Sequence, residues 1–97
     1  MIEYLYDAIR ALAGSEIKVH TWATDENENI ITEGCSLVLH DKEKKMMASI
    51  PGTFDEEVSM WDFVIPAEMT EGLKGRYWYC IQHEDNALCF MQPIYLV

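Results

Sequence analysis

Apolar and polar residues alternate along most of this chain with a period of two, the spacing of strands that bury one face. The alternation is cleanest from Ile17 to Thr24, which predicts a strand with Ile17, Val19, Thr21 and Ala23 inward and Trp22 on the outer face. A second strand is expected over Cys35–His40, with Cys35, Leu37 and Leu39 on one side. Met46-Met47-Ala48-Ser49-Ile50 follows across the mixed-charge tip Asp41-Lys42-Glu43-Lys44-Lys45 and stops at the turn signal Pro51-Gly52. Phe54 is expected to close the next loop over the core. In the run from Val58 to Ile65, residues Ser59, Trp61, Phe63 and Ile65 share a face, and the bulk of the last three makes it the buried one. A short strand is also expected at Ile30-Ile31-Thr32, ended by Gly34.

The last quarter reads as a hairpin. Gly75 to Gln82 and Ala87 to Val97 are rich in aromatic and β-favouring residues, and His83-Glu84-Asp85-Asn86 between them is a polar connector. Folding the arms about Glu84 and Asp85 sets Ile81 opposite Leu88, Cys80 opposite Cys89 and Tyr79 opposite Phe90. That register places Tyr77, Tyr79, Ile81, Leu88 and Phe90 on a core face, with Arg76, Trp78, Cys80, Gln82 and Cys89 on a wet face. Pro93 lacks an N–H and restricts what the last strand can pair with.

Two readings compete for the first thirteen residues. Ile2, Leu5, Ile9 and Leu12 fall at helical intervals before Gly14, which predicts a short N-terminal helix, whereas Ile2, Tyr4 and Tyr6 alternate as a first strand would. Pro66 to Gly72 reads as a single helical turn with Pro at its start and Gly at its end. About seven short strands separated by turn signals, without long helices, imply two packed antiparallel sheets, an all-β sandwich.

Composition narrows the functions open to such a fold. The chain's 97 residues make one domain, 1–97, and 49% hydrophobic content supplies a real core. With 17 acidic against 7 basic residues the net charge is −10, a field that repels phosphate backbones and anionic lipid, so neither nucleic acid nor membrane is an expected partner. No leader pattern opens the chain and no apolar run has membrane-spanning length, so a cytoplasmic product is expected. Three cysteines without CxxC spacing do not read as a secreted disulfide framework. The single cross-strand candidate for a disulfide is Cys80–Cys89, which a reducing compartment would leave as thiols.

The stretch Leu73-Lys74-Gly75-Arg76-Tyr77-Trp78-Tyr79 resembles the tyrosine corner of immunoglobulin-like domains. The resemblance implies that Tyr77 is the corner residue, its hydroxyl bonded to backbone around Thr70–Leu73, and that Tyr79 stands where antibody domains carry a cysteine. More broadly, Ala13-Gly14-Ser15-Glu16-Ile17, the Asp25–Asn29 turn, Trp61 to Glu68, Gly72 to Tyr77 and Ile94-Tyr95-Leu96-Val97 occur in an order similar to small immunoglobulin-like domains of phage and prophage structural proteins, such as the N-terminal domain of baseplate upper proteins. This similarity implies an immunoglobulin-like sandwich, a virion location and a partner that is another copy or another virion component.

Catalytic and metal chemistry finds no pattern. His20, His40 and His83 fall in or beside different strands, no Gly-x-Ser-x-Gly turn exists, and neither CxxC nor HxxxH spacing occurs. Asp25 to Asn29 lacks the glycine and distal glutamate of a calcium loop. Asp55, Glu56, Glu57 and Glu71 offer carboxylates without a pocket to tune one of them. No catalytic residue, metal ligand or cofactor is therefore assigned. Trp22, Met60, Trp78, Met91 and Tyr95 remain as outward apolar residues, and such residues are enriched at interfaces. They predict a non-enzymatic protein acting through protein–protein contacts; the alternative is a carbohydrate- or cell-surface-binding module using Trp22 or Trp78 as a stacking platform.

Overall fold

The computed structural model describes residues 3–88 and 90–97. Its first sheet has the order β1-β3-β7-β6, from β1 (Glu3–Leu5), β3 (Ile17–Thr21), β6 (Thr53–Asp55) and β7 (Met60–Ile65). The second has the order β2-β10-β8-β4-β5, from β2 (Ile9–Ala11), β4 (Cys35–His40), β5 (Met46–Pro51), β8 (Gly75–His83) and β10 (Gln92–Leu96), with β9 (Asn86–Ala87) also on β8. Among the described residues the one helical turn is α1 (Ala67–Thr70), as Pro66 and Gly72 predict. This is the all-β sandwich expected.

Between the sheets, Val19, Phe63, Ile65 and Trp61 from the first meet Leu37, Leu39, Tyr77, Tyr79, Ile81 and Ile94 from the second. Period-two alternation does the sorting: in β7 the odd positions are buried and the even ones half-exposed. Trp61 and Phe63 stack at 6.2 Å, and the Trp61 indole N–H donates to the Ile31 carbonyl at 2.7 Å, which satisfies its one polar group. Phe54 packs on Trp61 from β6, as a residue closing the core would.

The first residues are strands rather than a helix. Ile9 and Ala11 are buried with Arg10 exposed between them, and β2 pairs in parallel with β10 while β1 pairs in parallel with β3. The helical stripe fails at Leu12, which is 64% exposed. Those two parallel pairings also make the sheets mixed rather than wholly antiparallel. Splitting of the first strand between sheets, together with the short β6 and β9, raises the strand count above seven.

Ile30-Ile31-Thr32 is not a strand. An isolated bridge joins Thr24 to Ile30, and Ile31 is held by its N–H to the Ala23 carbonyl at 2.8 Å and by the Trp61 indole. The neighbouring polar stretch is a turn in which the Asp25 carboxylate accepts from the N–H groups of Asn27 and Asn29, both at 2.9 Å. Asp41 does the same for Glu43 and Lys45 at the β4–β5 tip. In both turns the residue three beyond the aspartate, Glu28 or Lys44, has positive φ.

The terminal hairpin keeps its expected register at the tip and loses it beyond. Gln82 pairs with Ala87, and the Leu88 N–H donates to the Ile81 carbonyl at 3.0 Å. Further on, Tyr79 lies opposite Gln92 and Trp78 opposite Pro93, so the returning arm has taken in two extra residues. Phe90 falls in that irregular segment and is 91% exposed, against the core position expected of it. Pro93 sits one residue before β10 begins to pair with β2, where a missing N–H is tolerated. The Cys80–Cys89 pairing involves Cys89, which lies outside the described residues. Cys80 itself is buried on the outward side of β8 rather than wet.

Candidate interaction surface

The outward face of the second sheet carries two cross-strand rows. One runs Arg10–Tyr95–Arg76, and the other Pro93–Trp78–His40–Met46. Trp78 is half-buried beneath two cations, Lys44 Nζ at 4.3 Å and the Arg76 guanidinium at 5.0 Å from its ring centre. Both cations lie within cation–π range and, among the described residues, neither makes an ion pair. Lys42 approaches the Tyr77 ring at 5.5 Å from the same end. Across from Trp78, His40 is 7% exposed and its Nδ1 has no hydrogen-bond partner among the described residues. Val38 and Cys80 are buried on this face although they are outside the inter-sheet core, so the long side chains around them shield this surface.

Among the described residues, no Asp or Glu occurs in any strand of this sheet, in a chain whose net charge is −10. Carboxylates collect elsewhere. The Asp25–Asn29 turn, the β6–β7 turn after Asp55 and the β8–β9 turn at Glu84-Asp85 all lie at one end of the sandwich, since Thr21 pairs with Trp61 and Cys35 with His83. Thr24, Asp25, Glu26, His83 and Asn86 line one shallow recess there. Trp22, 60% exposed, stands beside a second recess of about 200 Å³ lined by Tyr6, Thr24, Ile81 and Leu88.

The five outward apolar residues singled out from the sequence thus do not form one face. Trp22 follows β3 and Met60 opens β7, both on the first sheet, whereas Trp78 and Tyr95 share the second sheet's outward face and half-buried Met91 precedes β10. Tyr77 is buried in β8. The tyrosine hydroxyl that clamps backbone in this strand belongs to Tyr79, which accepts from the Asp7 N–H at 3.0 Å and donates to the Asp7 carbonyl at 2.5 Å. The phase of aromatic residues along β8 does not distinguish these two tyrosines; the position of the β1–β2 crossover does.

One histidine does meet an acid. His20 and Asp62 are cross-strand partners, and His20 Nδ1 is bonded to the Asp62 carboxylate on the outward side of the first sheet. Among the described residues, no three or more His, Cys, Asp or Glu are grouped to hold a metal ion, and no helix is long and apolar enough to cross a membrane. The Cys35 thiol, buried at the start of β4, has its pKa raised by desolvation from 9.0 to about 11. Comparison of the chain with protein-family models, with curated proteins and with solved structures returns no match.

Proposed function

We propose that this protein is a non-enzymatic structural or assembly component of phage or prophage type, working through protein–protein contacts made by the outward face of its second sheet. The phage-type assignment rests on the resemblance of the Gly75–Tyr79 stretch and of the wider order of motifs. The observation that carries the contact function is Trp78 beneath Lys44 and Arg76, beside Tyr95 at 42% exposure, in a sheet without carboxylates. Aromatic residues and arginine on a desolvatable platform are the composition of interface hot spots. Its test compares wild type with Trp78→Ala in two assays, absolute mass in solution across a concentration series and co-purification of a defined partner. Loss of the association with Trp78→Ala supports the proposal. A wild-type protein that stays monomeric and retains no partner overturns it.

Trp22 beside its recess favours a second reading, a carbohydrate-binding module with Trp22 as the stacking platform. A glycan screen with Trp22→Ala as control decides it, and no binding by wild type sinks it.

A further inference from the structure

The strand topology sorts charge along the molecule. Segments 25–34, 55–59 and 84–85, all at one end, hold four, three and two carboxylates, nine of the seventeen, and contain no Lys or Arg. All seven Lys and Arg lie toward the opposite end. Arg76 and Lys74 are at the start of β8, Arg10 is level with Arg76 through Tyr95, Lys18 is near the start of β3, and the other three are in the β4–β5 turn. Five acidic residues, Glu16, Asp41, Glu43, Glu68 and Glu71, are mixed among the loops of that basic end. Each end also exposes large apolar side chains: Trp22, Ile30 and Val58 at the acidic end, Met46, Tyr95 and Leu12 at the basic one.

We propose that the occupant of the Trp78 face is the acidic end of a second copy of this chain, giving a head-to-tail contact. This inference rests on the protein–protein reading above and names its partner. A face-to-face pair of two second-sheet surfaces centred on Trp78 would set Arg76 and Lys44 against their own copies, which like charge disfavours. Docking the exposed Glu56 and Glu57 of one molecule near Arg76 and Lys44 of the next pairs opposite charges instead, and brings the apolar residues of the two ends together. Such a contact is heterologous, so it closes into a ring or grows into a filament according to its rotation. At about 0.15 M salt the Debye length is about 8 Å, which screens the overall −10 repulsion between copies more than it screens charges in contact.

Two charge-reversal variants test this by sedimentation velocity at about 0.15 M salt, where screening is moderate. One is Lys44→Glu/Arg76→Glu at the basic end; the other is Glu56→Lys/Glu57→Lys at the acidic end. All four residues are exposed, and a circular dichroism melt verifies that each variant folds. Wild type is expected to self-associate, each variant alone to lose about tenfold or more in affinity, and an equimolar mixture of the two variants to associate again. Restored association only in the mixture identifies a head-to-tail contact. Association of wild type that either reversal leaves intact overturns this contact while leaving a protein-contact function standing. A wild type that stays monomeric also overturns it, and in that case capture of a defined partner sensitive to Trp78→Ala shows whether the broader function survives.

Discussion

Tyr79 holds Asp7 by both of its backbone polar groups across 72 residues of sequence, accepting from the N–H and donating to the carbonyl. This clamp sits where the chain leaves β1 in the first sheet and enters β2 in the second, and the Tyr6 ring meets the Tyr79 ring edge-on at 5.1 Å. Tyr79→Phe keeps the ring and removes the hydroxyl, leaving two backbone groups to find water. The expected cost is about 1–3 kcal/mol. Urea denaturation measures it, and amide exchange of Asp7 should accelerate in the variant.

Gly52 is required by packing rather than by backbone conformation. A Cβ there would stand 2.5 Å from the Phe63 ring and 2.9 Å from the Trp61 ring, both part of the core. Gly52→Ala should therefore destabilise the fold by about 1–3 kcal/mol, the usual range for overpacking. A drop in the denaturation midpoint without a change in slope is the expected result.

The Asp41 turn offers a local test. Its carboxylate accepts two backbone N–H bonds, and the same turn presents Lys44 to Trp78. Asp41→Ala should cost about 1 kcal/mol. It should also alter Trp78 fluorescence by releasing Lys44. The Asp25 turn has the same bonds but no Trp78 contact, so Asp25→Ala should lower stability without a Lys44-dependent fluorescence change.

Cys35 predicts a pH dependence at the alkaline end. Its folded pKa, about 11, lies above the ordinary value of 9.0, so the folded state holds a proton that the unfolded state releases. The stability this contributes is fully present below pH 9.0 and is lost as the pH rises toward about 11. The slope contributed by one such group is at most about 1.4 kcal/mol per pH unit. Cys35→Ala should be less stable at neutral pH, yet its stability should fall less steeply than wild type between those two values, as urea titrations at stepped pH would show.

The sandwich was legible because most strands announce themselves by alternation: Val19, Leu37, Phe63 and Tyr79 are all buried where period two places them. Two kinds of information were not local. Ile9 and Leu12 fit a helical stripe, and only pairing with β10 and β3, distant in sequence, decides for strands. Phe90 is apolar and in phase with Leu88, but the extra residues admitted before Gln92 break the register, and nothing in the run of side chains marks that point. The outward aromatics were identifiable as outward. Their division between two sheets and the sorting of charge between two ends depend on which turns the topology gathers together.

Absolute mass by light scattering over a concentration series, at about 0.15 M and about 1 M salt, tests the proposed contact between oppositely charged ends most directly. The expected mass rises with concentration at the lower salt and falls back toward the monomer at the higher. A mass fixed at the monomer under both conditions, or an oligomer indifferent to salt, would contradict it.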